Sequence, residues 1–296
     1  STFSQIHNRE CAAYEFFEEF NCHSMPRKYF GMHVENLNRA SGQLCLSYIE
    51  NSRSMNFHEE HSMMQVKQIA RTLGELQAWS LKKEVTAITL HKDFFANLAN
   101  IWPVETYRGM FKGILAFDSS EKTKSLMEKI DALLPIYHGA NIASTLHKQM
   151  GFRPVLVNAD LHTGNVLIDK DTGDLAALVD WQCTHLGVGV EDLHRIAISA
   201  LSVEDRRAFM PMLVEEMYNS LVESLDGAEP PCSLDTLLML SDLIFPHCAL
   251  YFASVFIAMI EKNESGITQE EKLKRKEIKL AKIIGCLEDV IEFDIK

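Results

Sequence analysis

The stretch VLVNADLHTGNVLIDKDTGDLAALVDWQ, residues 155–182, interrupts the helical pattern of the sequence around it. It holds three short apolar runs, VLVN, VLID and LAALVD, which are typical of short buried strands. Between the last two runs lies KDTGD, whose Asp171 and Gly173 are turn-forming residues, so we predict a β-hairpin there. Asp160 and Asn165 stand at the two ends of the loop before this hairpin, and Asp180 follows it. We expect the hairpin to bring these three side chains together.

The types and order of these side chains suit phosphoryl transfer. That reaction needs an aligned hydroxyl nucleophile and divalent cations that hold the phosphates and neutralise their charge. A carboxylate such as Asp160 can accept the hydroxyl proton, while a second carboxylate and an amide oxygen can bind magnesium, which prefers oxygen ligands. Asp and Asn are also common turn formers, which is the alternative explanation. The D-x-x-x-x-N spacing, with Asp180-Trp181-Gln182 after the hairpin, favours a phosphoryl-transfer site.

The rest of the chain is mostly helical by its apolar spacing. Helices are predicted over residues 1–20, 58–82, most of 92–150 with breaks at Pro103, Gly109, Gly113 and Pro135, and then 190–200, 203–225, 234–262 and 269–292. Two short strands are predicted within 25–36 and 42–51, around a turn at 38–42. Because strands and helices are segregated, we predict an α+β fold with a small N-terminal piece, 1–52, and a helical body, 53–296.

Composition and charge exclude some classes of function. A formal net charge of −12 argues against a nucleic-acid partner, since phosphate backbones require basic surfaces. Seven cysteines without a C-x-x-C pair indicate reduced thiols rather than a zinc site, and we expect a cytoplasmic protein. The uncharged stretch 243–260 is compatible with a buried core helix or a membrane span. We favour the core helix, and therefore expect no membrane partner.

The segments NADLHTGNVLI and ALVDWQ resemble the H-G-D-L-x-x-x-N and (I/V)-D-W-Q motifs of the choline/ecdysteroid-kinase-like (CHK kinase-like) family. These small-molecule kinases are related to the aminoglycoside phosphotransferases and have the protein-kinase-like fold. Three further segments resemble the family in the same order. They are IHNRECAAYEFF for its front-lobe helix, GQLCLSYIEN for the linker between the lobes, and GVGVEDLHRI for the segment after the metal aspartate.

The resemblance implies ATP and magnesium as cofactors, and a small molecule with a hydroxyl group as acceptor. By this resemblance Asp160 is the catalytic base in a catalytic loop at 158–165. Asn165 and Asp180 are the magnesium ligands, the latter in a metal-binding segment at 179–182.

The resemblance also implies roles outside the loop. Glu10 corresponds to a glutamate that pairs with a lysine on an earlier strand, although a solvated acidic helix face is the alternative. Asp192 corresponds to a residue that braces the catalytic loop, whereas a surface ion pair with Arg195 is the alternative. The linker backbone would contact adenine at Leu46, Ser47, Tyr48 and Ile49.

The sequence departs from the family pattern at several positions. Asn158 and Ala159 stand where the family has His-Gly, so we expect the internal support of the loop to be altered, and Ser47 stands where a Glu is common. No glycine-rich loop or strand lysine precedes Glu10 in the sequence. Two hypotheses follow: a small-molecule kinase present as a fragment or short isoform, and a catalytically inactive pseudokinase or binding module.

Two smaller expectations concern the surface and the histidines. Front strands that are absent would leave an apolar patch exposed, which promotes association, so we expect a tendency to form a homodimer or disorder before residue 20. His58 and His61 lack the i, i+4 spacing of a zinc-binding helix, and we expect no metal there. His162, inside the loop, could contact phosphate or substrate, or simply pack.

Overall fold

The computed structural model describes residues 2–19, 25–26, 28–32, 34, 42–83, 102–138, 142–260 and 266–294. Most of the predicted turn at 38–42 and the start of the predicted helical stretch 92–150 lie outside these residues. Within them, long helices surround short antiparallel strand pairs, which confirms the α+β class.

The front piece consists of helix α1, Thr2–Glu19, and a hairpin of strands β1, Lys28–Met32, and β2, Gln43–Leu46. α1 packs against the body through buried aromatic side chains on its apolar side. The ring of Phe16 lies 4.8 Å from that of Trp79, and the ring of Phe17 lies 4.7 Å from that of Trp181, both edge to face. These contacts place α1 beside the segment that carries Asp180.

The body contains helices that follow the predicted ones. They are α2 (Met63–Lys82), α3 (Val104–Lys112), α4 (Glu121–Tyr137), α5 (Ile142–Met150), α6 (Val190–Ala200), α7 (Val203–Ser224), α8 (Leu234–Phe256) and α9 (Gln269–Asp294). α2 begins at Met63 rather than at residue 58 because Ser62 caps it. The Ser62 hydroxyl accepts a hydrogen bond from the backbone N–H of Gln65, whose side chain in turn accepts one from the Ser62 N–H.

Two predicted helix breaks are confirmed and two are wrong. Pro103 is the residue before α3, and Gly113 follows it. Gly109 lies inside α3, and the helix continues through it because a single glycine costs a helix interior only about 1 kcal/mol. Pro135 lies inside the last turn of α4, where it removes one helical hydrogen bond without ending the helix.

The strands of the body lie in two antiparallel groups. One is a three-stranded sheet in the order β3 (Ser52–Ser54), β5 (Val166–Asp169) and β6 (Leu175–Leu178), and the other pairs β4 (Val155–Val157) with β7 (His185–Gly187). The predicted β5–β6 hairpin is confirmed. Its turn is held by the Asp169 carboxylate, which accepts hydrogen bonds from the backbone N–H groups of Asp171 and Thr172, and by Gly173 at φ 77°.

The apolar stretch 243–260 lies mostly in helix α8 in the core. Among the described residues, Leu234–Met259 is the single segment with the length and hydropathy of a membrane span, and 67% of that window is buried inside the molecule. α8 packs against α6 and α9, as expected of the core helix favoured from sequence.

An apolar patch is exposed on the front piece. Tyr29, Phe30 and Met32 of β1 are 69%, 48% and 39% exposed. Phe30 lies opposite Cys45 in the register of the hairpin, and Cys45 is exposed as well. The exposure agrees with the expected patch, while self-association through it stays a prediction for light scattering.

Candidate active site

Asp160 and Asn165 lie at the two ends of one tight loop between β4 and β5. The carbonyl oxygen of Asp160 accepts hydrogen bonds from Nδ2 of Asn165 at 2.8 Å and from the backbone N–H of His162 at 3.0 Å. The Asn165 carbonyl accepts one from the N–H of Val179 at 3.0 Å, which brings the loop to the segment of Asp180. Because Nδ2 of Asn165 faces the loop backbone, Oδ1 is the atom of this side chain that can bind a cation.

Asn158 joins the loop to segment 179–182. Its Nδ2 donates to the carbonyl oxygens of Asp180 and Val179 at 3.0 and 3.4 Å, and its Oδ1 accepts from the N–H of Asp160 at 3.0 Å. The side chain is fully buried, so these bonds satisfy groups that water does not reach. The internal support that we expected to be altered at this position therefore comes from an amide, which provides both a donor and an acceptor.

Asp192 braces the same loop from helix α6. Its carboxylate accepts hydrogen bonds from the backbone N–H groups of Asn158 at 2.7 Å and Ala159 at 2.8 Å. Arg195 is also buried and pairs with Glu191 at 2.7 Å rather than with Asp192. The bracing role is confirmed, and the alternative of a surface ion pair is wrong.

Two residues of the site have left-handed backbone conformations. Ala159 has φ 67° and Asp180 has φ 61°. A residue with a Cβ costs about 1–2 kcal/mol in this region, whereas glycine enters it freely. The conformation of Ala159 gives a physical reason for the Gly of the family pattern at this position. At Asp180 the left-handed conformation turns the chain shortly after the end of strand β6.

The carboxyl groups of the site crowd one another. Burial raises the pKa of Asp160 to about 6; the nearby Asp180 adds to this, while the Arg195 guanidinium and the Gln182 side chain oppose it. Burial also raises the pKa of Asp180. Burial and the Asp180 charge raise the pKa of Glu10 to about 7. A cation bound among these carboxyl groups would lower their pKa values, because it stabilises the ionised form.

Glu10 therefore faces the site rather than lying on a solvated helix face. The structure brings it close enough to Asp180 for the two charges to interact. The lysine of the front hairpin, Lys28, bonds instead to Glu15 at 3.0 Å. The ion pair that the resemblance implies for Glu10 stays a prediction.

The linker residues connect the two pieces at the edge of the site. β2 ends at Leu46, and Ser47, Tyr48 and Ile49 follow without regular secondary structure. Tyr48 is 81% exposed, and the carbonyl of Ile49 accepts a hydrogen bond from the Ser52 hydroxyl at 2.8 Å. Their contact with adenine stays a prediction.

The donors of the site fit magnesium better than a transition metal. Asn165 and Asp180 offer oxygen atoms, which this hard cation prefers. Among the described residues, no three His, Cys, Asp or Glu side chains are placed to hold one metal ion. A cation would thus complete its shell with phosphate oxygens and water, as magnesium commonly does.

The histidines singled out from the sequence have structural contacts. His61 bonds to the Asn56 carbonyl at 3.1 Å. Nδ1 of His162 accepts a hydrogen bond from the Gly164 N–H at 2.9 Å, and its ring lies 4.9 Å from that of Phe256. Burial lowers the pKa of His162 to about 4. The packing interpretation of His162 therefore accounts for its contacts.

Comparison with solved structures identifies the class of the fold. A choline kinase from Cryptosporidium parvum superimposes with a TM-score of 0.56 at 12% identity, over 97% of this chain and 79% of that one. An aminoglycoside 2′-phosphotransferase in complex with GDP gives a looser TM-score of 0.48 at 12% identity, over 99% and 82%. The protein has the protein-kinase-like, choline-kinase-like fold that the sequence motifs predicted.

Comparison of sequences identifies the family. The profile of DUF1679, described as "Uncharacterized oxidoreductase dhs-27", matches residues 1–295, and the chain belongs to this family. The "Uncharacterized kinase-like protein D1044.1" of Caenorhabditis elegans is 22% identical over 277 residues, which are 92% of this chain and 72% of that protein.

The sequence does not contain the complete G-x-G-x-x-G fingerprint of dinucleotide-binding oxidoreductases. Its single G-x-G, at Gly187 and Gly189, has Asp192 where the dinucleotide-binding fingerprint G-x-G-x-x-G requires a third glycine.

Proposed function

We propose that this protein is a small-molecule kinase, which transfers the γ-phosphate of ATP to a hydroxyl group of a small acceptor. The observation that carries the proposal is the connection made by the Asn158 amide, which bonds to the backbone of both Asp160 and Asp180. With Asn165 closing the same loop, a carboxylate for the acceptor and two oxygen donors for a cation share one rigid support. Phosphoryl transfer requires these groups in fixed relative positions.

Each residue has a distinct part in the proposed reaction. Asp160, with a pKa of about 6, is largely ionised at neutral pH and orients the acceptor hydroxyl and accepts its proton. Asn165 and Asp180 hold magnesium, which neutralises charge on the phosphates when it is bound. The linker backbone from Leu46 to Ile49 contacts the adenine ring. Asp192 holds the catalytic loop through its hydrogen bonds to the backbone of Asn158 and Ala159.

A non-catalytic binding module is the second candidate. The observation that favours it is the position of Lys28, which pairs with Glu15. Within the described residues Glu10 makes no ion pair, so a cation that would position the ATP phosphates from this helix is not in place.

The test is thermal unfolding with and without Mg-ATP, combined with a transfer assay over a panel of small alcohols. A ligand that binds the folded state alone raises its stability by RT ln(1 + [L]/Kd). We expect a magnesium-dependent rise in Tm that Asp180→Ala abolishes. Asp160→Asn should keep the rise in Tm and lose phosphate transfer. A rise without transfer to any alcohol would favour the binding module, and no rise at millimolar Mg-ATP would overturn the kinase.

A further inference from the structure

The chain that leaves the linker becomes part of the sheet that carries the proposed metal ligands. β3 pairs with β5 from Ser52 opposite Asp169 to Ser54 opposite Leu167, and the N–H of Met55 bonds to the Val166 carbonyl at 3.0 Å. β5 begins directly after Asn165, and β6 ends two residues before Asp180. The linker and the two proposed metal ligands are thus connected through one small sheet.

Asn51 makes this connection from its side chain as well as its backbone. Its Nδ2 donates to Oδ2 of Asp171 at 2.8 Å and to Oδ2 of Asp169 at 3.1 Å. Its carbonyl oxygen accepts from the N–H of Lys170 at 2.8 Å. All three bonds reach the turn of the β5–β6 hairpin, so Asn51 fastens the end of the linker to that turn.

The opposite side of the same turn is held by α2. Gln65 donates to the Gly173 carbonyl at 2.9 Å. Gln68 donates to Oδ1 of Asp174 at 3.2 Å and accepts from the N–H of Leu175 at 2.9 Å. These glutamines fix the turn to the body without touching the linker, which makes Gln68 a matched control for Asn51.

The backbone of Asn51 explains why asparagine suits this position. Its φ of 51° lies in the left-handed region, which glycine, asparagine and aspartate tolerate best. Glycine would adopt the conformation without an amide, and aspartate would place a third carboxylate beside Asp169 and Asp171. Asparagine combines the conformation with a donor for both carboxylates.

We propose that Asn51 is a positioning residue that fixes the position of the linker relative to the β5–β6 hairpin, next to which the proposed metal ligands lie. Binding of the adenine base at the linker and binding of the Mg-phosphate end of the nucleotide at the hairpin are then coupled. The inference rests on the proposed kinase function. From Ile49 onward the chain is fixed to the hairpin, since Ser52 also bonds to the Ile49 carbonyl. Movement of the front piece would then occur upstream, near the exposed Tyr48.

The experiment measures ATP affinity by calorimetry with and without magnesium, and uses the ratio of the two as the readout. Asn51→Gly keeps the left-handed backbone and removes the amide alone. We expect it to lower the magnesium enhancement by about fivefold, as for the loss of one net hydrogen bond of ordinary strength, since both bonds of the amide are exposed to solvent. Gln68→Ala, which loosens the same turn from the other side, should leave the ratio within about twofold of wild type.

A double-mutant cycle separates positioning from general stability. Asp171→Ala should lower the ratio similarly, and combining it with Asn51→Gly should cause little further loss, because both changes remove the same bond. A ratio unchanged in Asn51→Gly, or equal losses in Asn51→Gly and Gln68→Ala, would overturn the inference and leave the kinase standing. Wild-type protein that fails to bind Mg-ATP would overturn both.

Discussion

The amide of Asn158 donates a hydrogen bond to the carbonyl oxygen of Asp180 at 3.0 Å, so one residue of the catalytic loop holds the backbone of the segment after the hairpin. The same side chain accepts a hydrogen bond from the N–H of Asp160, and the backbone N–H of Asn158 donates to the Asp192 carboxylate at 2.7 Å. Loop, segment and helix α6 therefore meet at a single buried residue.

Replacing Asn158 with Ala should cost about 3 kcal/mol of unfolding free energy. The change leaves the buried carbonyl of Asp180 and the N–H of Asp160 without their partners, and each such group costs about 1–3 kcal/mol. Urea denaturation measures the loss. Asn158→Asp keeps the size and the acceptor for Asp160 but places a buried carboxyl oxygen against the Asp180 carbonyl, so it should be no more stable than Asn158→Ala. A variant as stable as wild type would show that the amide supports neither segment.

Replacing Ala159 with Gly should stabilise the protein by roughly 0.5–1 kcal/mol. Glycine removes the cost of the left-handed φ of 67°, which exceeds the extra chain entropy that glycine loses on folding. The bond from its N–H to Asp192 is unaffected. Thermal unfolding measures the gain. Ala197→Gly, fully buried within α6, should instead destabilise by about 1 kcal/mol. A loss at both positions would contradict the strain assigned to Ala159.

Breaking the buried ion pair between Arg195 and Glu191 should lower the unfolding free energy more than the changes above. Arg195→Met leaves the fully buried Glu191 without its guanidinium partner, and we expect a loss of about 3–5 kcal/mol. The double change Arg195→Met with Glu191→Gln should recover part of this, because it removes the buried carboxylate that has lost its guanidinium partner. Chemical denaturation of the three proteins measures both effects. Equal losses in the single and double variants would show that packing, not charge, decides the result.

Most helices and strands could be predicted from local patterns in the sequence. The β5–β6 hairpin follows from apolar runs around Asp171 and Gly173, because a strand and its turn depend on neighbouring residues. The capping box of Ser62 and Gln65 marks the start of α2 in the sequence, whereas the helix predicted from residue 58 also includes His58 and His61, which precede it. The resemblance implied a lysine partner for Glu10, whereas the interaction of Glu10 with Asp180 is visible only in the structure.

Contacts between distant segments account for what the sequence did not show. Asn158 and Asp192 are 34 residues apart, and Asn51 and Asp171 are 120 apart. No periodicity links such pairs, because their approach depends on how whole helices and sheets pack. In the sequence Asn158 is a departure from the family motif, but in the structure its amide donates to the Asp180 carbonyl and accepts from the Asp160 N–H. A count of hydrogen-bonding groups at that position is the signal that could have found it.

The acidity of Glu10 predicts how stability depends on pH. Burial first, and then the charge of Asp180, raise its pKa from 4.5 to about 7 in the folded protein. Between these values the folded state keeps a proton that the unfolded state has released, so the contribution of Glu10 to stability is lost as pH rises from about 4.5 through about 7. Urea denaturation across this range should show wild type losing stability relative to Glu10→Gln as pH rises. Glu18→Gln, an exposed change on the same helix, should follow wild type.

Magnesium with ATP should reduce the difference between wild type and Glu10→Gln at high pH, because a cation beside Asp180 favours the ionised carboxylates. Parallel pH curves for wild type and Glu10→Gln would show that Glu10 is not held in this environment.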